Sequence, residues 1–183
     1  MKILVDSREK AGKNEHVLKY FRDNKIAYET GIAFNVGDYC LADNPNLVVD
    51  RKQGLNEVYS NLIQSHERFK RECLRAIEQG IELIILVEEE KVKCLDDVAK
   101  WTNPRVQRWH MIKNAHKKGK MLGIKNPKKP PISSEQLMRI MQTFEEKYKI
   151  KFMFCPKMKC GETMIKIFKK GLKGKEQVDK HSK

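Results

Sequence analysis

The sequence lacks the long apolar runs that would place it in a membrane. None of its hydrophobic stretches approaches the roughly 20 residues of a membrane-spanning helix. Its N-terminal region also lacks the basic start and apolar core that mark a secretory signal peptide. These absences predict a protein that does not bind a membrane. We expect it in the cytoplasm, as an intracellular protein of a bacterium or a virus, or in the nucleus if its source is eukaryotic.

Closely spaced cysteine pairs are also missing. The five cysteines are odd in number and scattered, and no two of them form a Cys-x-x-Cys pair. This pattern favours reduced thiols packed in the interior over a disulfide framework. A zinc site that combines Cys155 and Cys160 with His110 and His116 is the alternative, but neither spacing is usual for zinc ligands.

Acidic residues are few relative to basic ones. The 183 residues include 38 Lys and Arg against 24 Asp and Glu, which gives a formal net charge of +14. A balance this basic favours a polyanionic partner over a neutral metabolite. The length and the 40% apolar content fit one domain with an ordinary core.

The shortage of acids is greatest in residues 103–131, which contain nine Lys or Arg and no Asp or Glu. Contact with phosphates explains such a segment better than solvation alone. A second basic stripe is predicted on the helix after residue 55, where a solvated face paired with neighbouring glutamates is the alternative. The candidate DNA-binding residues of the two regions are Gln64, Arg68, Arg71, Arg75, Arg105, Arg108, Lys113, Lys117 and Lys118.

Hydrophobic periodicity predicts strands that alternate with helices. Apolar runs indicate strands at residues 3–5, 81–88 and 150–155, and the turn signal at residues 43–46 indicates a hairpin. Three- and four-residue spacing predicts helices near residues 14–25, 55–79, 95–101, 133–149 and 161–170. The order β-α-β-β-α-β-α-α-β-α predicts an α/β sandwich with a central mixed β-sheet flanked by helices. One domain over residues 1–168 is expected, followed by a basic, disordered tail at 169–183.

Three of the apolar runs end on an acid, at Asp6, Asp50 and Glu88. A single acid in such a place is commonly the point where a strand reaches water. Asp38 and Asp50, however, flank the predicted hairpin, so two adjacent strands can hold both carboxylates side by side for a hard cation such as Mg²⁺. Lys52 lies two residues beyond Asp50 on the same face of the strand. There its ammonium could orient a water for attack on a phosphodiester.

Three motifs together resemble the nuclease domain of the XPF-type structure-specific endonucleases. They are "DSRE" (Asp6, Arg8, Glu9), "GDY" (Gly37, Asp38, Tyr39) and "VDRK" (Asp50, Arg51, Lys52). The resemblance covers about residues 1–90 by motif and extends to residue 168 by the order of strands and helices.

The resemblance implies a restriction-endonuclease-like fold, a need for Mg²⁺ or Mn²⁺, and cleavage of branched or flap DNA near junctions between duplex and single strand, in repair, recombination or replication. A homodimer is also expected, since family members usually dimerise through this domain. The resemblance further implies metal ligation by Asp38 and Asp50, water positioning by Lys52, and further catalytic-site roles for Asp6, Arg8, Glu9 and Arg51.

The sequence departs from the family at two positions. Asp50 stands where the family more often has Glu, and Asn56 replaces an acid four residues after Lys52. The chain also ends before the helix-hairpin-helix modules that usually follow, so a stand-alone form is expected. The Asn56 change leaves an alternative to the endonuclease, namely a catalytically inactive DNA-binding domain of the same fold that acts as a partner or scaffold subunit. An RNA-binding protein is a third reading, which no motif supports.

Overall fold

A six-stranded sheet forms the centre of the computed structural model, which describes residues 1–9, 12–120 and 123–181, with side chains up to residue 171. The strand order is β2-β1-β3-β4-β5-β6. The strands are β1 (Lys2–Asp6), β2 (Ala27–Ile32), β3 (Tyr39–Leu41), β4 (Asn44–Lys52), β5 (Glu82–Glu88) and β6 (Lys151–Cys155). Strand β3 is antiparallel to both of its neighbours, β1 and β4. The other three pairs, β1 with β2, β4 with β5 and β5 with β6, are parallel. The predicted mixed sheet and hairpin are thereby confirmed.

Helices cover both faces of the sheet. They are α1 (Glu15–Asp23), α2 (Leu55–Tyr59), α3 (His66–Glu78), α4 (Pro104–Lys117), α5 (Ser134–Tyr148) and α6 (Cys160–His181). The start of α5 is a capping box, in which Gln136 N donates to Ser133 Oγ at 3.1 Å and Ser133 N donates to Gln136 Oε1 at 2.8 Å. None of the described helices is both long and apolar enough to cross a bilayer.

The two faces of β4 belong to two separate hydrophobic cores. Val48 packs in the core beneath α3 and α5, and Val49 packs in the core beneath α1 and α6. Because successive side chains of a strand point to opposite faces, Asp50 and Lys52 continue the Val48 face, and Arg51 continues the Val49 face. The end of β4 therefore places its acid and its lysine on one side of the sheet and its arginine on the other.

The prediction of one continuous helix from residue 55 to residue 79 is wrong. Helix α2 ends at Tyr59, residues Ser60–Gln64 form a π-helical turn, and α3 begins at His66. Within the turn Ser65 N donates to Ser60 O at 2.8 Å. Such a turn adds a residue to the helical repeat and changes which side chains of α3 share a face with those of α2.

The acid-free segment contains a helix that periodicity did not reveal. Helix α4 occupies residues Pro104–Lys117, while the preceding helical pattern is a short 3₁₀ segment, Leu95–Lys100. Asn103 caps α4, since its side chain accepts from Arg105 N at 3.0 Å, and Pro104 suits the first helical position. Ile112 is the buried residue of α4, so the helix lacks the apolar stripe that would have predicted it.

The backbone of residues 169–181, for which the sequence predicted disorder, belongs to α6. Residues 182 and 183 of the predicted tail lie outside the described residues. The division of the chain at residue 168 stays a prediction.

Candidate active site

A cleft of about 800 Å³ opens beside the end of β4. Its lining combines a central pair of aspartates with basic residues contributed by the loop after β1, by α3 and by α4. The lining residues are Arg8, Glu9, Lys13, Gly37, Asp38, Asp50, Arg51, Lys52, Gln53, Asn56, Glu57, Ser60, Arg68, Glu72, Arg75 and Arg105.

Asp50 and Lys52 form a buried ion pair in this cleft. Their relative exposures are 2% and 8%. Lys52 Nζ donates to Asp50 Oδ1 at 2.7 Å and lies 2.6 Å from Oδ2, at an angle that makes no second hydrogen bond. Oδ2 is fully buried and accepts no hydrogen bond from the described residues. This oxygen is therefore held by the charge of the Lys52 ammonium and not by a hydrogen bond.

Asp38 lies beside this pair and is fixed by the hairpin. Its backbone N–H donates to Val49 O at 3.0 Å, and its Oδ2 accepts from Arg51 N at 2.9 Å. Gly37 allows this approach, since it has a φ of +64° and a Cβ at its position would lie 2.4 Å from Val48 Cγ1. Burial raises the pKa of Asp38 well above its ordinary value, and the neighbouring Asp50 raises it further.

Lys52 remains protonated in this environment. Burial disfavours its ammonium, but the carboxylates of Asp50 and Asp38 outweigh burial, so the pKa of Lys52 lies above its ordinary value. An ammonium with a raised pKa can donate hydrogen bonds and balance negative charge, but it cannot accept a proton at neutral pH. Lys52 is therefore suited to orient a water and not to deprotonate it.

The residues of this site fit a hard divalent cation. Two carboxylates adjoin a single ammonium, so one negative charge remains when both are ionised. The raised pKa of Asp38 means that a proton can balance this charge, and a divalent cation could take the place of that proton. Asp50 Oδ2, which accepts no hydrogen bond from the described residues, offers a ligand atom, and carboxylate oxygens are the ligands that Mg²⁺ and Mn²⁺ prefer. Asp38 and Asp50 are the residues that would hold the cation.

Arg51 and Glu9 belong to a separate buried ion cluster on the other face of β4. The Arg51 side chain is 1% exposed, and its Nε donates to Glu9 Oε1 at 2.7 Å while its Nη2 also contacts that oxygen. Arg51 Nη1 donates to Glu88 Oε1 at 3.0 Å. Tyr39 completes the cluster by donating its hydroxyl to Glu9 at 3.2 Å. Arg51 and Glu9 thus hold the end of the sheet together, and the side chain of Arg51 is closed to solvent.

The carboxylate of Asp6 accepts hydrogen bonds that stabilise the loop after β1. It accepts from Arg8 N, Nε and Nη2 at 2.7, 2.8 and 3.0 Å, and from Phe34 N at 2.6 Å. Burial alone would raise the pKa of Asp6, but these hydrogen bonds outweigh it and the pKa is lowered. Asp6 is not among the cleft-lining residues, whereas Arg8 is. The structure therefore separates the three acids at the strand ends: Asp50 lies in the cleft, Asp6 in a loop contact and Glu88 on the opposite face.

Three of the predicted DNA-binding residues line the cleft. Arg105 lies 4.6 Å from the ring centre of Tyr59 and donates to Ser60 Oγ at 2.8 Å. Arg68 donates to Asn61 Oδ1 at 3.0 Å, so the π-helical turn holds two of the arginines. The third is Arg75, whose Nε donates to Asn35 O at 3.2 Å. The other six candidates, Gln64, Arg71, Arg108, Lys113, Lys117 and Lys118, do not line the cleft.

Sequence reasoning missed several residues of the cleft, including two acids. Glu57 accepts from Gln53 N at 2.8 Å, and Glu72 accepts from Gly37 N at 3.2 Å. Glu72 could have been found, because it lies four residues after Arg68 and three before Arg75, on one face of α3. Lys13 gave no such signal, since only the tertiary structure brings the segment before α1 to the cleft.

Comparison with solved structures identifies the fold. The structure is similar to that of XPF from Aeropyrum pernix, with a TM-score of 0.60 and 15% sequence identity over 98% of this chain and 69% of the other. It is also similar to XPF from Aeropyrum pernix in complex with DNA, with a TM-score of 0.57 and 15% identity over 94% of this chain and 66% of the other. No protein-family model matches the sequence, and no curated protein matches it. The chain has an XPF-like, restriction-endonuclease-like fold, as its motifs predicted.

Proposed function

We propose that the protein is a metal-dependent endonuclease that hydrolyses phosphodiester bonds in branched, flap or otherwise structured DNA. The observation that carries the proposal is the meeting of Asp38, Asp50 and Lys52 in one cleft with basic residues around it. The "DSRE", "GDY" and "VDRK" motifs, which resemble those of nucleases that cut such DNA, and the XPF-like fold support the same choice.

The chemistry follows from the charges of the cleft. A divalent cation held by Asp38 and Asp50 would stabilise negative charge on a phosphoryl oxygen and lower the cost of deprotonating a water. Lys52, which keeps its proton, orients the attacking water and balances charge as it builds up on the phosphate. Water adds to phosphorus as one P–O ester bond breaks, and the products are a phosphate monoester at one strand end and a hydroxyl at the other.

The arginines around the aspartates supply phosphate contacts. Arg68 and Arg75 are exposed on α3, and Arg105 reaches the cleft from α4. Guanidinium groups bind phosphate oxygens through paired hydrogen bonds, which position a strand without reading its sequence. We assign these three residues to the phosphates on either side of the bond that is cut.

A cleavage assay tests the proposal. A labelled flap or splayed-arm duplex is incubated with the protein and with Mg²⁺, Mn²⁺ or a chelator. The unaltered protein should cut only with a divalent cation, and Lys52→Ala should lower the rate by about 100-fold or more. Lys151→Ala is the matched control, because Lys151 is exposed at the start of β6, two strands away from β4, and does not line the cleft; it should cut at the rate of the unaltered protein.

Two results would favour the alternatives. Tight binding to forked DNA without cleavage in either metal would favour a catalytically inactive DNA-binding domain, with Asn56 in the cleft wall where the family has an acid. Tighter binding to RNA than to forked DNA would favour an RNA-binding protein.

Self-association is a further part of the proposal. Family members usually dimerise through this domain, and the motifs resemble that family. Sedimentation velocity at several protein concentrations should show a homodimer, and a single monomeric species throughout would contradict it.

A further inference from the structure

A second group of metal-ligating side chains lies across the sheet from Asp50 and Lys52. A ring nitrogen of His16, a carboxylate oxygen of Glu88 and Cys160 Sγ all lie within 4.8 Å of one another. Cys160 is 0% exposed and Glu88 is 7% exposed, while the His16 side chain, at 10%, reaches the surface. Among the residues that the structure describes, this is the group of His, Cys, Asp and Glu whose ligand atoms converge.

Cys155 brings a second thiol close to this group. It is the register partner of Glu88 across the parallel strands β5 and β6, and the neighbouring thiol of Cys160 lowers the pKa of Cys155. The Sγ of Cys155 is not one of the atoms that lie within 4.8 Å of one another. The four side chains come from four elements: the ends of β5 and β6 and the first turns of α1 and α6. His110 and His116, which the sequence suggested as partners of the two cysteines, lie on α4 and are not part of the group.

The packing of α1 against α6 brings His16 to the cysteines. Gly161 follows Cys160, and a Cβ at this position would lie 2.8 Å from Tyr20 Cβ and Cδ1. The absence of a side chain at Gly161 therefore permits the close contact between the two helices. His16 and Tyr20 are four residues apart and share one face of α1, so this contact also sets the distance from His16 to Cys160.

We propose that His16, Glu88, Cys155 and Cys160 form a structural site for a borderline-soft divalent cation of the Zn²⁺ class. Thiolate, imidazole and carboxylate are the ligands of protein zinc, at about 2.0–2.3 Å from the metal, which puts the ligand atoms roughly 3.3–3.8 Å apart. Shifts on the order of 1 Å would bring the ligand atoms of His16, Glu88 and Cys160 to that spacing. Cys155 would have to move toward them from the end of β6 to become the fourth ligand. Two thiolates exclude Mg²⁺ as the preferred cation, so this site differs in chemistry from the one at Asp38 and Asp50.

Charge and proton balance are consistent with a metal at this position. His16 Nε2 and Glu88 Oε1 are 2.6 Å apart and share a proton. When the cation binds, this proton would pass to His16 Nδ1 or to solvent, so that His16 would ligate the cation as a neutral imidazole. Both thiols would release their protons as well, and the two thiolates would neutralise the divalent charge. Arg51 would still bind Glu88, so the cation would support the buried cluster behind the cleft. A cation at this position would bind whether or not the protein is a nuclease.

Cobalt substitution tests the site in the full-length protein. The reduced, chelator-treated protein is titrated with Co²⁺, whose thiolate charge-transfer band reports sulfur ligation, and Zn²⁺ is then added to displace it. One equivalent should give the thiolate band and tetrahedral visible bands, and Zn²⁺ should abolish both. Zinc at about 100 times its Kd should raise the midpoint of thermal unfolding by roughly 5–10 °C.

Variants assign the ligands. His16→Ala and Cys160→Ser should each abolish the thiolate charge-transfer band of the Co²⁺-bound protein. Cys155→Ser should halve the intensity of that band. Cys94→Ser, which removes an exposed thiol, and Asp50→Asn, on the other face of the sheet, should leave it unchanged. Absence of a thiolate band in the unaltered protein would overturn the proposal and leave a His16–Glu88 ion pair beside two thiols. A full band in Cys155→Ser would overturn the assignment of the fourth ligand.

Discussion

Replacing Arg51 with methionine should destabilise the protein strongly while leaving Asp38, Asp50 and Lys52 in place. The Arg51 side chain is 1% exposed and is the shared partner of Glu9 and Glu88, which are 11% and 3% exposed. Removal of the cation leaves the carboxylate of Glu9 without an ionic partner among the described residues and leaves Glu88 with His16, and breaking one such buried pair typically costs about 3–5 kcal/mol. For a chain of this size that cost lowers the midpoint of thermal unfolding by roughly 6–20 °C.

Urea unfolding monitored by circular dichroism measures the loss in the free energy of unfolding. Arg22→Met is the matched control, because the ion pair of Arg22 with Glu15 is solvent-exposed, and its midpoint should equal that of the unaltered protein. Neutralising the partners as well, in Arg51→Met with Glu9→Gln and Glu88→Gln, should recover most of the loss.

The outcome separates a positioning role of Arg51 from a catalytic one. The role given to the cluster would be wrong if Arg51→Met lowers the free energy of unfolding by less than about 1 kcal/mol. It would also be wrong if the triple variant is no more stable than Arg51→Met. At a temperature where the Arg51→Met variant is folded, its cleavage rate should fall less than that of Lys52→Ala, because the Arg51 side chain is closed to solvent.

Three further predictions concern the cleft and the packing of the helices. Because burial and Asp50 raise the pKa of Asp38, the native protein holds a proton that an unfolded aspartate releases near pH 4. The free energy of unfolding should therefore fall as pH rises from about 4 through that raised pKa. In urea titrations Asp38→Asn or Mg²⁺ should flatten this fall, and an unchanged slope would contradict it. Arg105→Ala should remove about one phosphate contact. The slope of log binding constant against log salt concentration, measured by fluorescence anisotropy with a DNA duplex, should then become shallower by roughly 0.9. A slope equal to that of the unaltered protein would show that Arg105 does not contact the DNA. Gly161→Ala should raise the free energy of the folded state by about 1–3 kcal/mol in urea unfolding, because the new Cβ forces α6 away from Tyr20. In a Tyr20→Gly background, which removes the contacted Cβ and ring, the cost should be smaller, and an equal cost would rule out the clash.

Much of the fold and the centre of the candidate site could be predicted from local patterns. The two-residue period of a strand was sufficient to place Asp50 and Lys52 on one face, and the turn signal near Asn44 was sufficient to bring Asp38 alongside through a hairpin. These relations involve residues close in sequence, so they need no knowledge of the rest of the chain.

The π-helical turn shows why other parts could not be predicted. Its residues continue the apolar spacing of α2 and α3, and the change of hydrogen bonding at Ser60 has no separate hydrophobic signature. Helix α4 was missed for a related reason, since it buries Ile112 alone and has almost no apolar stripe. In both regions the local structure is stabilised by contacts with distant residues, such as the hydrogen bond from Arg105 to Ser60.

The sequence by itself determined the α/β architecture, the basic character and the aspartate–lysine centre, because periodicity, composition and the spacing within one hairpin are local properties. The tertiary structure alone decided which distant residues each charged side chain contacts on its face of the sheet. It placed Arg51 with Glu9 and Glu88, separated these from Asp50, and brought His16 to Cys160 across 144 positions of the chain. Contacts of this kind depend on how β5, β6, α1 and α6 pack. Burial in that packing sets the pKa values and the charge balance on which the chemistry depends.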